Sequence, residues 1–285
     1  MEGFRRGSES ISPTAHYTGY VWFANGMSHP AFATNEGRLL YHALRPANLA
    51  ARAVGGPSLE GLLIARHRVI DHLLETEIAA GRVGQVLEIA AGLSPRGWRF
   101  AQRHGNRLLY VEADLRGMVA RKREVLAAAG AGSDHHRVVE IDALADDGPH
   151  SLEAVAAALD PGRGLAIVTE GLLAYYDAAI VVEMWRRFAS VLAGFTQGVY
   201  LAELYLADDN RNPLIHAFKK MLSTFVRGEV HLDFADAGEA QRALVNAGFP
   251  DAALHRPSAM AGTVGPIEEA GARHVRVIEA RPART

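Results

Sequence analysis

Apolar residues in this chain recur with two different periods. Between Ser58 and Ala80 they fall at Leu59, Leu62, Leu63, Ile70, Leu73, Leu74 and Ile78. That spacing gathers them on one stripe and predicts a single amphipathic helix, stopped by Gly81. From Gln85 onward, short runs rich in Val, Ile and Leu alternate with helical patterns. The runs predict strands at 85–90, 108–113, 137–141, 164–170 and 198–204, and the patterns predict helices at 95–104, 115–130, 151–159, 178–193 and 237–247. Ala252 to His255 and Val275 to Ala280 read as two further strands. Strands separated by helices imply the α/β class, with a mainly parallel sheet and helices on both faces.

The segments outside this alternation predict the organisation. Residues 1–57 mix Tyr17, Tyr20, Trp22 and Phe23 with Gly, Ser, Pro and Asn, and Gly55-Gly56-Pro57 punctuates their end. They are expected to form an N-terminal lid and substrate-binding segment, with the core over 58–285. Residues 205–236 exceed an ordinary connection and are expected to cap an active site.

Composition narrows the function. Lys and Arg total 30 against 32 Asp and Glu, so bulk charge gives no reason to expect nucleic acid. Cysteine is absent, which removes disulfides and thiolate metal sites. Residues 1–12 carry arginines and no apolar segment, unlike a secretory signal, and no apolar run reaches the ~20 residues that span a bilayer. A soluble cytoplasmic protein with no membrane partner is the expectation.

The stretch Val86 to Trp98 carries the first chemical signal. It reads as a buried strand, a turn of small residues, and a helix opened by Ser94 as N-cap with Pro95 in the first turn. Small residues let a ligand approach the backbone, and the free N–H groups of a helix start face it. Ligands of open α/β sheets lie beyond the carboxyl ends of the strands. Gly92 follows the first strand, Glu112 and Asp114 the second, Asp142 the third and Glu170 the fourth.

Asp114 lies 22 positions after Gly92 (114 − 92), close to the ~20 at which an acid grips ribose hydroxyls in dinucleotide folds. The plain alternative is a polar residue ending a strand. The turn Glu88-Ile89-Ala90-Ala91-Gly92 lacks the glycine fingerprint that seats a pyrophosphate. A nucleoside without phosphates fits better, and S-adenosylmethionine is one. Its carboxylate needs a cation. Arg66 falls on the apolar stripe of its helix, four residues after Leu62 and four before Ile70, where an arginine needs a partner. It either meets that carboxylate, pairs with Glu88 or Glu170, or snorkels its stem.

Four stretches, taken together, resemble the leucine carboxyl methyltransferase family: Ala65-Arg66-His67-Arg68-Val69-Ile70-Asp71; Leu87 to Arg96; Tyr110-Val111-Glu112-Ala113-Asp114-Leu115 with Lys122; and Thr169-Glu170-Gly171-Leu172-Leu173-Ala174-Tyr175. The likeness spans roughly residues 10 to 205 and looks closest to the bacterial polyketide-tailoring branch, such as the tetracenomycin type. It implies a Rossmann-like class I methyltransferase with a mainly parallel seven-stranded sheet, an N-terminal helical lid and an insertion after the fifth strand. It implies S-adenosylmethionine as cofactor, S-adenosylhomocysteine as product, and no metal. Arg66 would then bind the methionine carboxylate. Glu88, Ala90 and Gly92 would line the turn, and Asp114 with Leu115 would hold the ribose. Asp142 and Ala143 would meet the adenine, and Glu170 the ammonium. Tyr17, Tyr20, Trp22 and Tyr175 would line the acceptor, with Tyr17 to Trp22 as lid. Two departures stand out. The family often has glycine at the position of Ala90 and Asp-Thr at Ser94-Pro95. Where phosphatase-directed members carry a lysine upstream of the lid, the nearest match is Ser12.

The acceptor class turns on a base. A carboxylate, with pKa near ~4, is ionised at neutral pH, whereas a phenol near ~10 must lose a proton. His16, His29, His216 and His231 are the histidines considered, with Tyr17, Tyr20 and Tyr175 as further catalytic candidates. His16 has the alternative of a hydrogen bond that orders the lid, and Trp22 that of core packing. His135-His136 reads as a surface turn. Lys219 and Lys220, with His216 and Phe218, form either a cationic rim or a solvated helix face. With no clear base, the expectation is methyl ester formation on a small-molecule acid of the polyketide or secondary-metabolite kind. Phenol O-methylation is the alternative. A nicotinamide-dependent dehydrogenase and a non-catalytic nucleoside-binding module are the rivals from other classes.

Overall fold

A computed structural model of the chain describes residues 13–210 and 231–283. The chain divides into two compact units, each made of two stretches: Met1–Arg45 with Gln85–Leu159, and Pro46–Gly84 with Asp160–Thr285. The units therefore do not follow a boundary at 57/58. Residues 211–230 of the expected cap, with His216, Phe218, Lys219 and Lys220, lie outside the described residues, as does Ser12.

In the first unit, β1 (Gln85–Ile89), β2 (Leu109–Asp114) and β3 (His136–Glu140) pair in parallel in the order β3-β2-β1. Every residue of β1 is buried, as a strand covered on both faces requires. Helices α1 (Pro13–Ala24), α4 (Arg96–His104) and α5 (Arg116–Ala128) belong to this unit. Phe32, Leu93, Met118, Val125 and Leu126 form one of its apolar clusters, with Trp98 at the edge. Helix α2 (Asn35–Ala53), which the sequence pattern did not predict, has Pro46 inside it.

The second unit holds α3 (Leu59–Ala79), in which Ser58 caps the N-terminus by accepting from Gly61 N–H. Strands β4 (Leu165–Thr169) and β5 (Gly198–Leu204) pair in parallel, and β7 (Arg276–Arg281) pairs antiparallel with both β5 and β6 (Asp251–His255). Helix α7 (Ala178–Ala193) buries Met184, Trp185, Phe188 and Leu192. The seven strands are present, but the sheet structure is mixed rather than mainly parallel. The chain reaches β7 from β6 through short helical turns, which lets the last two strands run against each other. No helix among the described residues is long and apolar enough to cross a membrane.

Candidate functional site

The first unit places the β1 turn and the end of β2 together. The Asp114 carboxylate accepts from Gly92 N–H at 2.7 Å and from Leu115 N–H at 2.8 Å. It remains partly exposed. Burial pushes its pKa up, and the two backbone bonds and Lys122 act against that. Gly92 has φ +50°, and Ala90 has φ +56°, the single non-glycine residue with positive φ among those described. An L-residue in this region costs about 1–2 kcal/mol, so Ala90 holds strain at the position where the family often has glycine. Helix α4 begins at Arg96, one residue later than expected, and Ser94 Oγ still accepts from Arg96 N–H at 3.3 Å. After β3, Asp142 and Ala143 are partly exposed, and Asp142 Oδ1 accepts from Leu144 N–H.

Glu112, expected at a strand end, and Glu88, expected beside the turn, are both buried. Glu88 and Glu112 are register partners on β1 and β2. Like charges side by side on one face repel, so each has its own cations. Glu88 accepts from Arg96 Nη1 at 2.6 Å and from the Tyr110 hydroxyl at 2.7 Å. Glu112 lies 2.7 Å from Lys122 Nζ and 3.0 Å from His136 Nε2. Against the effect of burial, those two partners hold its pKa down. Lys122 also donates to Gly92 O and Ser94 O, which ties the pair to the β1 turn. A Cβ on Gly97 would come within 2.6 Å of the Glu112 carboxyl carbon, so α4 can approach β2 only through glycine. His136 is therefore a buried structural partner in β3, not part of a surface turn. Glu88 is likewise buried, held by Arg96 and Tyr110.

The N-terminal lid residues divide. Tyr17 and Trp22 are buried, and Tyr17 stacks on Tyr41 at 6.4 Å. Tyr20 is partly exposed and lies 5.1 Å from the Tyr41 ring. His16 Nδ1 is 2.8 Å from Thr34 Oγ1, and burial lowers its pKa. His29 accepts from Ala31 N–H and caps a short 3₁₀ turn.

In the second unit, Arg66, His67, Glu170, Glu203 and Tyr205 form one network. Arg66 Nε donates to Glu170 at 3.0 Å, and Nη1 donates to the Tyr205 hydroxyl at 2.7 Å and lies 3.5 Å from Glu203. Among the readings left open for Arg66, the structure holds the pair with Glu170. His67, fully buried, lies 2.7 Å from the other Glu170 oxygen. Gly171, at φ +78°, donates its N–H to Glu203 Oε1 at 2.8 Å. Glu203 is 1% exposed, and its Oε2 has no hydrogen-bond partner among the described residues. Burial pushes its pKa up to about 7; Arg66 works against this and Glu170 with it.

Glu203 lines a small cleft, part of it open to solvent, together with Leu173, Tyr176, Tyr205, His231 and Asp233. His231 Nδ1 and Asp233 Oδ2 are 3.5 Å apart, both partly exposed. Tyr176, not Tyr175, lines this cleft. Sequence reading missed Glu203, Tyr205 and His67. The signal for Glu203 was an acid in the otherwise apolar run Tyr200 to Leu204, at the end of the fifth predicted strand.

Comparison with known proteins agrees with this fold. The family model described as "Leucine carboxyl methyltransferase" matches residues 25–189. A protein of Rhodococcus jostii, provisionally named an S-adenosyl-L-methionine-dependent methyltransferase, is 37% identical over 135 residues, 47% of this chain and 44% of its own length. A similarly named protein of a Parafrankia species is 30% identical over 188 residues, 62% of this chain and 58% of its own. The chain spans about half the length of the curated relatives it matches. Among solved structures, a duf574 family protein from Streptomyces avermitilis aligns with a TM-score of 0.63 at 15% identity, over 97% of this chain and 99% of that one. A provisionally named methyltransferase from Thermobifida fusca aligns at 0.60 and 15% identity, over 88% and 90%. These two likenesses speak for the fold.

Proposed function

The chain belongs to the leucine carboxyl methyltransferase family, and from that premise we propose that it is an S-adenosylmethionine-dependent O-methyltransferase acting on a small molecule. The observation that carries this reading is the Asp114 turn. Each Asp114 oxygen spends one lone pair on a backbone N–H. An ionised carboxylate has about four acceptor positions, so two remain for the adjacent hydroxyls of a ribose. Ala90 and Gly92 leave the backbone approachable beside it. With Leu115 flanking the turn and Asp142 and Ala143 after β3, the first unit offers a nucleoside a carboxylate and no pyrophosphate cradle.

S-adenosylmethionine supplies an electrophilic methyl group on a sulfonium. What the chain must add is alignment of the acceptor and exclusion of water. The family's description favours a carboxylate acceptor, which needs no base. A hydroxyl acceptor is the second reading, and Glu203 in its cleft is the observation that favours it.

The test is thermal unfolding with S-adenosylhomocysteine or NAD. A ligand at 100 times its Kd stabilises the native state by about 2.7 kcal/mol. Stabilisation by S-adenosylhomocysteine alone is the expected outcome. Stabilisation by NAD alone would move the chain to the dehydrogenase reading.

A further inference from the structure

Lys122, on α5, reaches the β1 turn with its ammonium group and is only 1% exposed. A buried ammonium needs partners for its three N–H groups. Two of the acceptors around it are carbonyls of the turn, Ser94 O at 2.6 Å and Gly92 O at 3.1 Å. The third is the Glu112 carboxylate at 2.7 Å. The fully buried Phe32 ring has its centroid 5.6 Å from Nζ, a cation–π distance. Neutralising Glu112 accounts for one of these contacts, and His136 stands 3.0 Å from that acid as well. The two carbonyl contacts fall on the turn.

Gly92, at φ +50°, is where they matter. With no Cβ, glycine enters this region freely and leaves it freely. Its N–H is held by Asp114 at 2.7 Å and its C=O by Lys122. An anion on the donor and a cation on the acceptor thus fix both peptide groups flanking Gly92. Lys122 also acts on Asp114 through charge. Burial and Glu112 raise the Asp114 pKa, and Lys122 lowers it. Asp114 offers a ribose its full set of acceptor positions only when ionised.

We propose that Lys122 is a positioning residue for the nucleoside: with no surface of its own to offer a ligand, it holds Gly92 and Ser94 in the turn conformation in which Asp114 receives the ribose. The proposal rests on the methyltransferase reading and gives Lys122 a part in cofactor affinity beyond its ion pair with Glu112. The charged groups acting on Asp114 are Lys122 and Glu112, with His136 next to Glu112.

The experiment is calorimetric titration of S-adenosylhomocysteine into the full chain from about pH 4 to 8, with wild type, Lys122→Met and Glu112→Gln. At the upper end of that range, affinity should fall at least about 10-fold in Lys122→Met. It should fall less than about 3-fold in Glu112→Gln, which leaves the ammonium on both carbonyls. As pH drops, Asp114 takes up a proton and affinity fades. The pH of half-loss should move up in Lys122→Met and should not move up in Glu112→Gln, because the two charges act on Asp114 in opposite directions. A residue that serves core stability alone would leave that midpoint in place. Unchanged affinity in Lys122→Met, an equal loss in Glu112→Gln, or an unmoved midpoint in Lys122→Met overturns the proposal. If Lys122→Met does not fold, Lys122→Met combined with Glu112→Gln, which leaves neither charge of the pair, takes its place in the affinity comparison. If Glu112→Gln alone does not fold, the affinity and midpoint of the Lys122 variant decide. If no Lys122 variant folds, Lys122 serves the fold as a whole and the proposal is overturned. Failure of S-adenosylhomocysteine to bind wild type overturns the methyltransferase reading instead.

Discussion

Both units bury carboxylates in the same kind of place, inside strands or at their ends, yet they treat them differently. In the first unit, Glu88 and Glu112 each have a full charge partner and a second donor: Arg96 and Tyr110 for one, Lys122 and His136 for the other. In the second, one guanidinium serves both Glu170 and Glu203, and burial pushes the Glu203 pKa up to about 7. A neutralised acid holds structure together. An under-compensated acid facing a cleft is available for chemistry. The difference lies in whether the cation is shared, not in depth of burial, since Glu88, Glu112 and Glu203 are all about 1% exposed.

The largest expected effect breaks the first side of that contrast. Arg96→Met leaves Glu88 buried without its cation and should cost about 3–5 kcal/mol in unfolding free energy, measured by urea titration. A variant of native stability that loses S-adenosylhomocysteine binding would show Glu88 to be a ligand group after all. Next, Asp114→Ala removes the partly exposed acid that holds the β1 turn. Stability should change little, while affinity for S-adenosylhomocysteine should drop at least about 10-fold, or ~1.4 kcal/mol.

A smaller effect sharpens the second side. Glu203 has a native pKa near 7, above the ~4.3 of an unfolded glutamate. Between those values the native state binds the extra proton, so stability falls as pH rises through this window. Glu279 behaves oppositely. His255 and Arg281 hold it down to about 2, so its contribution is complete above ~4.3 and is lost as pH falls toward 2. Melting temperatures of wild type and Glu203→Gln, compared from pH 4 to 8, should therefore diverge, with wild type losing ground as pH rises. Parallel curves would mean that Glu203 is already compensated. The smallest effect is at Ala90. Ala90→Gly trades a positive-φ strain of about 1–2 kcal/mol for glycine's entropy cost of about 0.5–1 kcal/mol. Net stabilisation should stay below about 1.5 kcal/mol, read as a small rise in melting temperature.

Much of this was legible in the chain. The strands were, because runs such as Leu165 to Val168 are apolar throughout, which is the mark of burial on both faces. The Asp114 turn was also legible, because close approach and an acid at a set spacing leave a pattern. Helix α2 was not, since Pro46 and its exposed Leu39 and Leu49 blur the helical period. Nor were the units, because no composition shift marks Arg45 or Gly84. Partner identity was hidden as well. Glu112 and Glu203 both read as acids in apolar runs, and whether a cation stands opposite depends on residues such as Lys122 and Arg66, brought near only by folding. The antiparallel course of β7 left no trace in its alternation, which parallel and antiparallel strands share.

The account's central claim is that Asp114 and its turn hold the nucleoside of S-adenosylmethionine. Calorimetric titration of S-adenosylhomocysteine into wild type and Asp114→Ala, with NAD as control, tests it most directly. Binding to wild type that weakens at least about 10-fold in the variant, with no heat from NAD, is the predicted result. Equal affinity in the two proteins, or binding of NAD in place of S-adenosylhomocysteine, would contradict it.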